Sequence, residues 1–297
     1  MTERGLVPDY GPAWGLPKAG RPGTGPLPLH PMSLGDILDG IFKLLRGNFR
    51  TIALIVGTLV LPVQLVAAFA QRNLLGGQSI LRIINDPSTA TTVQRGNLAT
   101  TVVAVAASLV NVLLLPFVGG AIATVVTASY GGGSIGAGVA LRAMGRRAPA
   151  LFAAWWIWHP FEVVGFALGV LPGVALMTMF VMVAPVIVTE GLGPWQGLRR
   201  SWRLAARTFW STMAAAVLSG FIAYVMGQVL SGVPSFVGLT IGLRWGWLLL
   251  ALGGALTALV ITPIAAITAT LLYYDARIRT EGFDLEVIAS GLADRAG

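Results

Sequence analysis

Cysteine is absent from the 297 residues, which excludes disulfides, thiolate metal sites and a thiol nucleophile. Histidine occurs only as His30 and His159, too few for a histidine-rich metal centre. Charged residues make up 11% of the chain, about half the share a soluble domain of this length carries on its surface. The first fifty residues contain no early apolar core behind a charged start, so a signal peptide is not expected. Ser, His and Asp fall into no grouping with the spacing of a hydrolase. No catalytic residue, metal or cofactor is therefore expected.

What remains is apolar and basic. The hydrophobic share is 55%, the mean hydropathy is +0.78 and the net charge is +8. These values describe a polytopic membrane protein. The basic residues lie beside hydrophobic segments, which argues for a membrane surface and against nucleic acid.

The stretch from Glu190 to Trp210 organises the reading. Gly193 and Pro194 mark a helix start, because proline fits the first turn. On a helical wheel Trp195, Leu198, Trp202, Ala206 and Phe209 share one face, while Gln196, Arg200, Arg203 and Arg207 take another with Arg199 at its edge. Such a helix lies in the bilayer interface with its arginines towards phosphate. Arg199, Arg200, Arg203 and Arg207 are thus candidate contacts for anionic phospholipid, although topology determination explains them equally well. Glu190 is expected to pair with one of them.

Similar entry segments occur at 33–50 and, more weakly, at 134–147. In the first, Ser33 and Asp36 suit a capping box, and Leu34, Ile37, Leu38, Ile41, Phe42, Leu45 and Phe49 make an apolar stripe. Each entry segment precedes two hydrophobic spans. The expected fold is all-α: six transmembrane helices in three pairs, each pair preceded by a basic, amphipathic or interfacial cytoplasmic helix.

The spans are expected near 51–71, 98–127, 148–170, 174–189, 208–230 and 245–274. Pro62 should kink the first, Leu171-Pro172-Gly173 should turn tightly between the third and fourth, and 231–244 should form a glycine-rich connection, interfacial or partly re-entrant. Gly165, Gly169 and Gly173 recur every fourth residue, a small-residue face for close helix contact. Residues 80–84 should touch the interface within a long polar connection, 71–97. The membrane domain runs over 32–282, between a disordered cytoplasmic tail, 1–31, and a short cytoplasmic tail, 283–297. The first tail holds seven prolines and six glycines and shows no periodicity. Sixteen of the twenty Lys and Arg fall on one side of this layout, which places that side and both termini in the cytoplasm and the protein in the cytoplasmic membrane.

Inside the third span, His159 and Glu162 lie about one turn apart, and Asn111 lies in the second span. Ionisable groups at bilayer depth are costly, so they suggest either a proton or substrate site or a polar pair locking helices together. The set His159, Glu162 and Asn111 is the candidate intramembrane polar site.

Three segments carry a resemblance: Leu34-Gly-Asp-Ile-Leu-Asp-Gly-Ile-Phe42 with Arg46-Gly-Asn48 downstream, Leu192-Gly-Pro-Trp-Gln-Gly-Leu-Arg-Arg-Ser-Trp-Arg-Leu204, and Tyr273-Tyr-Asp-Ala-Arg-Ile-Arg-Thr-Glu-Gly-Phe-Asp-Leu-Glu286. Together the chain resembles, over roughly 30–290, actinobacterial integral membrane proteins similar to the membrane domain of glycerophosphoryl diester phosphodiesterases. The resemblance implies a six-helix membrane module. It carries no phosphodiesterase activity here, since the catalytic barrel of about 250 residues has no counterpart in the chain. The expected function is a non-enzymatic membrane module that anchors or regulates partner proteins, with the bilayer and anionic phospholipid as contacts. The alternatives are a transporter or exporter of a lipid-like or small hydrophobic molecule, and an intramembrane lipid enzyme.

Overall fold

The computed structural model describes residues 30–72, 78–86, 98–130 and 133–283. The expected tails up to residue 29 and from 284, most of the polar connection and the Gly131-Gly132 break lie outside these residues. Among the described residues all regular structure is helical: α1 (Leu34–Gly47), α2 (Phe49–Leu59), α3 (Leu61–Gln71), α4 (Ile80–Asn85), α5 (Leu98–Tyr130), α6 (Ala137–Leu168), α7 (Val170–Phe180), α8 (Val183–Glu190), α9 (Pro194–Arg207), α10 (Phe209–Ile241) and α11 (Leu243–Glu281). Five units are long and apolar enough to cross a membrane, α7 and α8 counting as one, and six if α2 and α3, bent by 44°, are also one. The protein is a multi-pass membrane protein.

The first entry helix starts as its sequence dictates. Ser33 Oγ accepts from the Asp36 backbone N–H at 3.2 Å, and Asp36 Oδ2 accepts from the Ser33 N–H at 2.9 Å. Hydrogen bonds from Ser33 hold the Asp36 carboxyl below the usual carboxylate range. The buried stripe of α1 is narrower than the wheel suggests. Ile37, Gly40, Ile41 and Leu44 are buried and Leu38 and Leu45 pack at the edge, whereas Leu34, Phe42 and Phe49 are exposed apolar surface. At Asn48 the chain breaks into α2, and its side chain donates to Leu44 O at 3.1 Å and to Ser129 Oγ at 3.2 Å. The expected kink at Pro62 falls at Val60, so that the proline opens α3 where its missing N–H costs nothing.

The second entry segment is not a separate helix. No capping residue interrupts 142–150, Pro149 is accommodated within the helix, and the entry segment and third span form the continuous α6. The turn after it is a single residue, Gly169, at φ 142°, rather than 171–173. The three spaced glycines do not line one face. Gly169 is the hinge, and Gly165 and Gly173 meet across it: a Cβ on Gly165 would sit 3.2 Å from Gly173 Cα.

Residues 231–244 are also helical apart from one hinge. Pro234 does not end the helix, and α10 continues through it to Ile241. Gly242, at φ 101°, reverses the chain into α11. Gly238 and Gly246, four residues either side, press backbone against backbone; a Cβ on Gly238 would lie 2.8 Å from Gly246 O. Both hairpins thus use glycine at −4, 0 and +4 of the turn. A side chain at either flank would force the helices apart, and the extended α10 and α11 reach about 50 Å and 58 Å at 1.5 Å per residue, well beyond a hydrocarbon core of about 30 Å.

The last third of α11 is the centre of the molecule. Ile264 and every residue from Ala266 to Ile278 are buried, including Tyr273, Tyr274, Asp275 and Arg277. The helix packs against α1, α2, α3, α5, α8, α9 and α10. In contrast, α5, α6 and α10 turn Leu109, Trp156, Phe161, Val229 and Phe236 outward, the apolar surface a bilayer covers.

Candidate functional site

The basic segments separated along the chain meet at one end of the bundle, around the end of α11. Glu190, closing α8, accepts from Arg200 Nε at 3.0 Å and from the Tyr273 hydroxyl at 3.0 Å. The other edge of the Arg200 guanidinium engages both oxygens of Glu281, with Nη2 to Oε2 at 2.8 Å. Arg277 donates to Glu281 Oε2 at 3.2 Å and to the Tyr273 hydroxyl at 3.2 Å. These contacts close a ring, Glu190–Arg200–Glu281–Arg277–Tyr273, in which two carboxylates offset two guanidinium groups. The Glu281 hydrogen bond holds the Arg200 pKa above its ordinary value, against the desolvation of partial burial and with help from Glu190.

A second clasp ties in the chain's entry to α1. The Asp275 carboxylate, only 2% exposed, accepts from the Met32 N–H at 2.7 Å and from Arg279 Nε at 2.8 Å, while Arg279 Nη2 donates to Met32 O at 2.6 Å. Tyr274 stacks on Tyr130 of α5 at 4.2 Å and donates to Thr127 Oγ1 at 3.1 Å. The charged groups of this layer satisfy one another.

Arg200, one of the four arginines expected towards phosphate, is instead turned to Glu190 and Glu281. The buried face of α9 comprises Gly197, Leu198, Ser201, Leu204 and Ala205, rotated from the expected tryptophan face. Small residues explain the rotation. Gly197 lies so close to Ile187 that a Cβ would overlap it, and Ser201 Oγ donates to Met179 O at 2.9 Å, satisfying a carbonyl near the break between α7 and α8. The bulky Trp195 and Trp202 point outward with Arg199, Arg203 and Arg207, which are all exposed. Leu198 alone of the expected apolar face is buried there, and Phe209 lies beyond the helix end at Thr208.

Between α6, α7 and α9 this arrangement leaves a groove of about 680 Å³. Trp158, Phe161, Phe180, Trp195 and Trp202 line it, with Arg199 on the α9 side. Trp158 stacks on Phe180 at 5.6 Å, and Phe180 meets Trp202 at 5.6 Å. Tryptophan beside arginine is the composition of a headgroup-level contact.

His159 and Glu162 do come together: Nδ1 and Oε2 lie 3.1 Å apart, with 28% and 14% side-chain exposure, so Pro160 leaves the local helix intact. The His159 ring stacks on Trp155 at 4.5 Å and meets the edge of Trp158 at 5.6 Å. Every one of these partners is on α6, so the pair does not lock two helices by hydrogen bonding. Asn111 does not join them. It sits on α5, donates to Ala107 O at 3.2 Å and faces a different cavity, shared with Gln64 of α3.

Sequence reasoning identified the pairing of Glu190 with an arginine of α9. It missed the closure by Glu281 and Tyr273. The available signal was a run of charges continuing without a break from an apolar helix, which places those charges next to whatever surrounds the helix end.

Residues 134–276, from just before α6 to near the end of α11, match the model of a family described as a domain of unknown function (DUF7847). The match takes in Glu190, Arg200, Tyr273 and Asp275 and stops short of Glu281. No curated protein and no solved structure matches the chain.

Proposed function

We propose that this chain is a non-enzymatic module of the cytoplasmic membrane that holds anionic phospholipid at its cytoplasmic face and anchors or regulates partner proteins there. The observation that carries this reading is the α6–α7–α9 groove, where three tryptophans and an unburied arginine surround an apolar space. A phosphate beside Arg199 with its acyl chains along Phe161 and Leu176 suits that surface chemically. The mutual satisfaction of Glu190, Asp275 and Glu281 supports a structural layer over an acid–base site. The second and third of the segments that carry the resemblance to the phosphodiesterase membrane domain converge in this layer through Arg200–Glu281, and Met32, just ahead of the first segment, bonds to Asp275 of the third. That convergence supports reading the chain as a relative of those modules.

Lipid retention tests the proposal. In nanodiscs, Arg199→Gln with Trp195→Ala lowers retained phosphatidylglycerol relative to phosphatidylcholine about fivefold, the equivalent of ~1 kcal/mol for one basic residue at a charged surface. Unchanged retention in a folded double variant removes the groove from the reading. The transport alternative is favoured by the cavity beside Asn111. It requires wild-type proteoliposomes to move labelled lipid between leaflets faster than protein-free vesicles, whereas the anchoring reading requires equal rates.

Six crossings with both ends cytoplasmic are part of the same proposal. Met32 bonded to Asp275 sets the two ends of the membrane domain side by side, and an even number of crossings follows if α2 and α3 make one broken span. Reporter fusions at residues 85, 140, 192, 238 and 290 are expected to read out, in, in, out and in. An external signal at 192 overturns the layout.

A further inference from the structure

The cavity of about 430 Å³ beside Asn111 lies among α3, α5, α10 and α11, away from the charged end of the bundle. Asn111 is about 28 Å along α5 from Tyr130, and Thr257 about 27 Å along α11 from Asp275, at ~1.5 Å per residue. Against a hydrocarbon core of about 30 Å, this is the half of the bilayer opposite the basic layer.

Among the described residues its polar lining is neutral throughout: Gln64, Asn111, Ser231, Ser235, Thr257 and Thr262. Asn111 Nδ2, the Ser231 hydroxyl and the Thr257 hydroxyl donate to backbone carbonyls at 3.2, 3.4 and 3.3 Å, which leaves their oxygens as acceptors. Among the described residues, the Gln64 amide and the Ser235 hydroxyl make no hydrogen bond to protein. An amide at bilayer depth without a protein partner favours a ligand that supplies one. Two glycines make the room these groups occupy. A Cβ on Gly254 would lie 3.1 Å from Gln64 Oε1, and one on Gly253 would lie 2.5 Å from Ser235 Oγ. The remaining walls, among them Val60, Leu115, Leu250 and Ile261, are aliphatic.

We propose that this cavity binds a neutral, hydroxyl-bearing lipid from the leaflet opposite the basic layer, with Gln64 and Ser235 hydrogen-bonding its head and the aliphatic walls holding the start of its chains. The absence of any ionisable side chain from the lining disfavours a phosphate or ammonium headgroup, whose charge would go uncompensated there. This site is separate from the Arg199 groove in place and in chemistry. It remains whether or not that groove holds phospholipid.

Photoreactive diacylglycerol and photoreactive phosphatidylglycerol, each in nanodiscs with the full chain, discriminate. Diacylglycerol is expected to label peptides from α5, α10 and α11 around the cavity. Gln64→Leu keeps the volume but removes the amide, and Gly254→Leu fills the space; each is expected to lower that labelling about tenfold. Labelling of α9 by phosphatidylglycerol should be unchanged in both variants. Equal cavity labelling by the two lipids overturns the assignment of a neutral head. Undiminished labelling in Gln64→Leu, checked for wild-type melting behaviour, overturns the role of the amide. No labelling of the cavity by diacylglycerol in the wild type overturns the site itself, and leaves a water pocket.

Discussion

Arg200→Leu is expected to destabilise the folded protein by about 2 kcal/mol, because removing one member of a half-buried ion pair leaves the other charge uncompensated, with some discount for solvent access. Two carboxylates, Glu190 and Glu281, lose their shared partner, and at 18% side-chain exposure Arg200 is shielded from most of the solvent screening that weakens surface pairs. Arg277 still reaches Glu281, but nothing replaces the guanidinium at Glu190 except the Tyr273 hydroxyl. Arg200→Lys should recover part of the loss, since one ammonium cannot serve both carboxylates in the planar geometry of arginine. The neighbouring Arg199→Leu should leave stability within about 0.5 kcal/mol, as expected of an exposed position. Unfolding in mixed micelles measures all three. Equal stability of the Arg199 and Arg200 variants would show that the ring contributes nothing to the fold.

Gly246→Leu is expected to cost at least as much. Overpacking a core ordinarily costs about 1–3 kcal/mol when side chains can adjust. Here the added Cβ meets the carbonyl and Cα of Gly238, so the backbones of α10 and α11 must separate. Gly232→Leu, one turn and a half earlier on α10, is the control: nothing lies within 4 Å of its Cβ position, and the change should fall within about 0.5 kcal/mol. The loss at Gly246 should appear as a lower melting temperature in detergent. A Gly246 variant that melts with wild type would mean that the two helices are not held at this distance.

The helical class and the presence of several membrane-length units were legible because apolar runs at bilayer length and the caps around them are local properties. The Ser33–Asp36 box and the stop at Gly282, φ 66°, are of this kind. The third entry helix was placed correctly in the chain but turned wrongly about its axis. A wheel ranks faces by hydrophobicity, and tryptophan outranks glycine and serine, yet close packing on Ile187 and Met179 selects the small residues. Helix continuity past Pro149 and Pro234 was missed for a related reason, since neighbouring helices can satisfy or shield the backbone groups that a proline frees. Of the candidate polar set, His159 and Glu162 were readable from their spacing, whereas the separation of Asn111 depends on how α5 packs and has no local signature. The pairing of residues 81 positions apart, Arg200 with Glu281, likewise becomes visible only once the helices are assembled.

The one-residue turns at Gly169 and Gly242 bear on how the protein enters the bilayer. A helical pair joined this way presents almost nothing hydrophilic at its leading tip, so it can partition laterally from the translocon as a single unit without carrying a polar segment through the hydrocarbon. Only Arg244 travels with the tip at Gly242, and no charged residue lies within four positions of Gly169. The first pair differs, because in the proposed layout its connection, with Arg72, Arg82, Asp86 and Arg95, has to cross. Insertion of the N-terminal third should therefore depend on active translocation of that loop, and the two later pairs should follow with far less dependence on it.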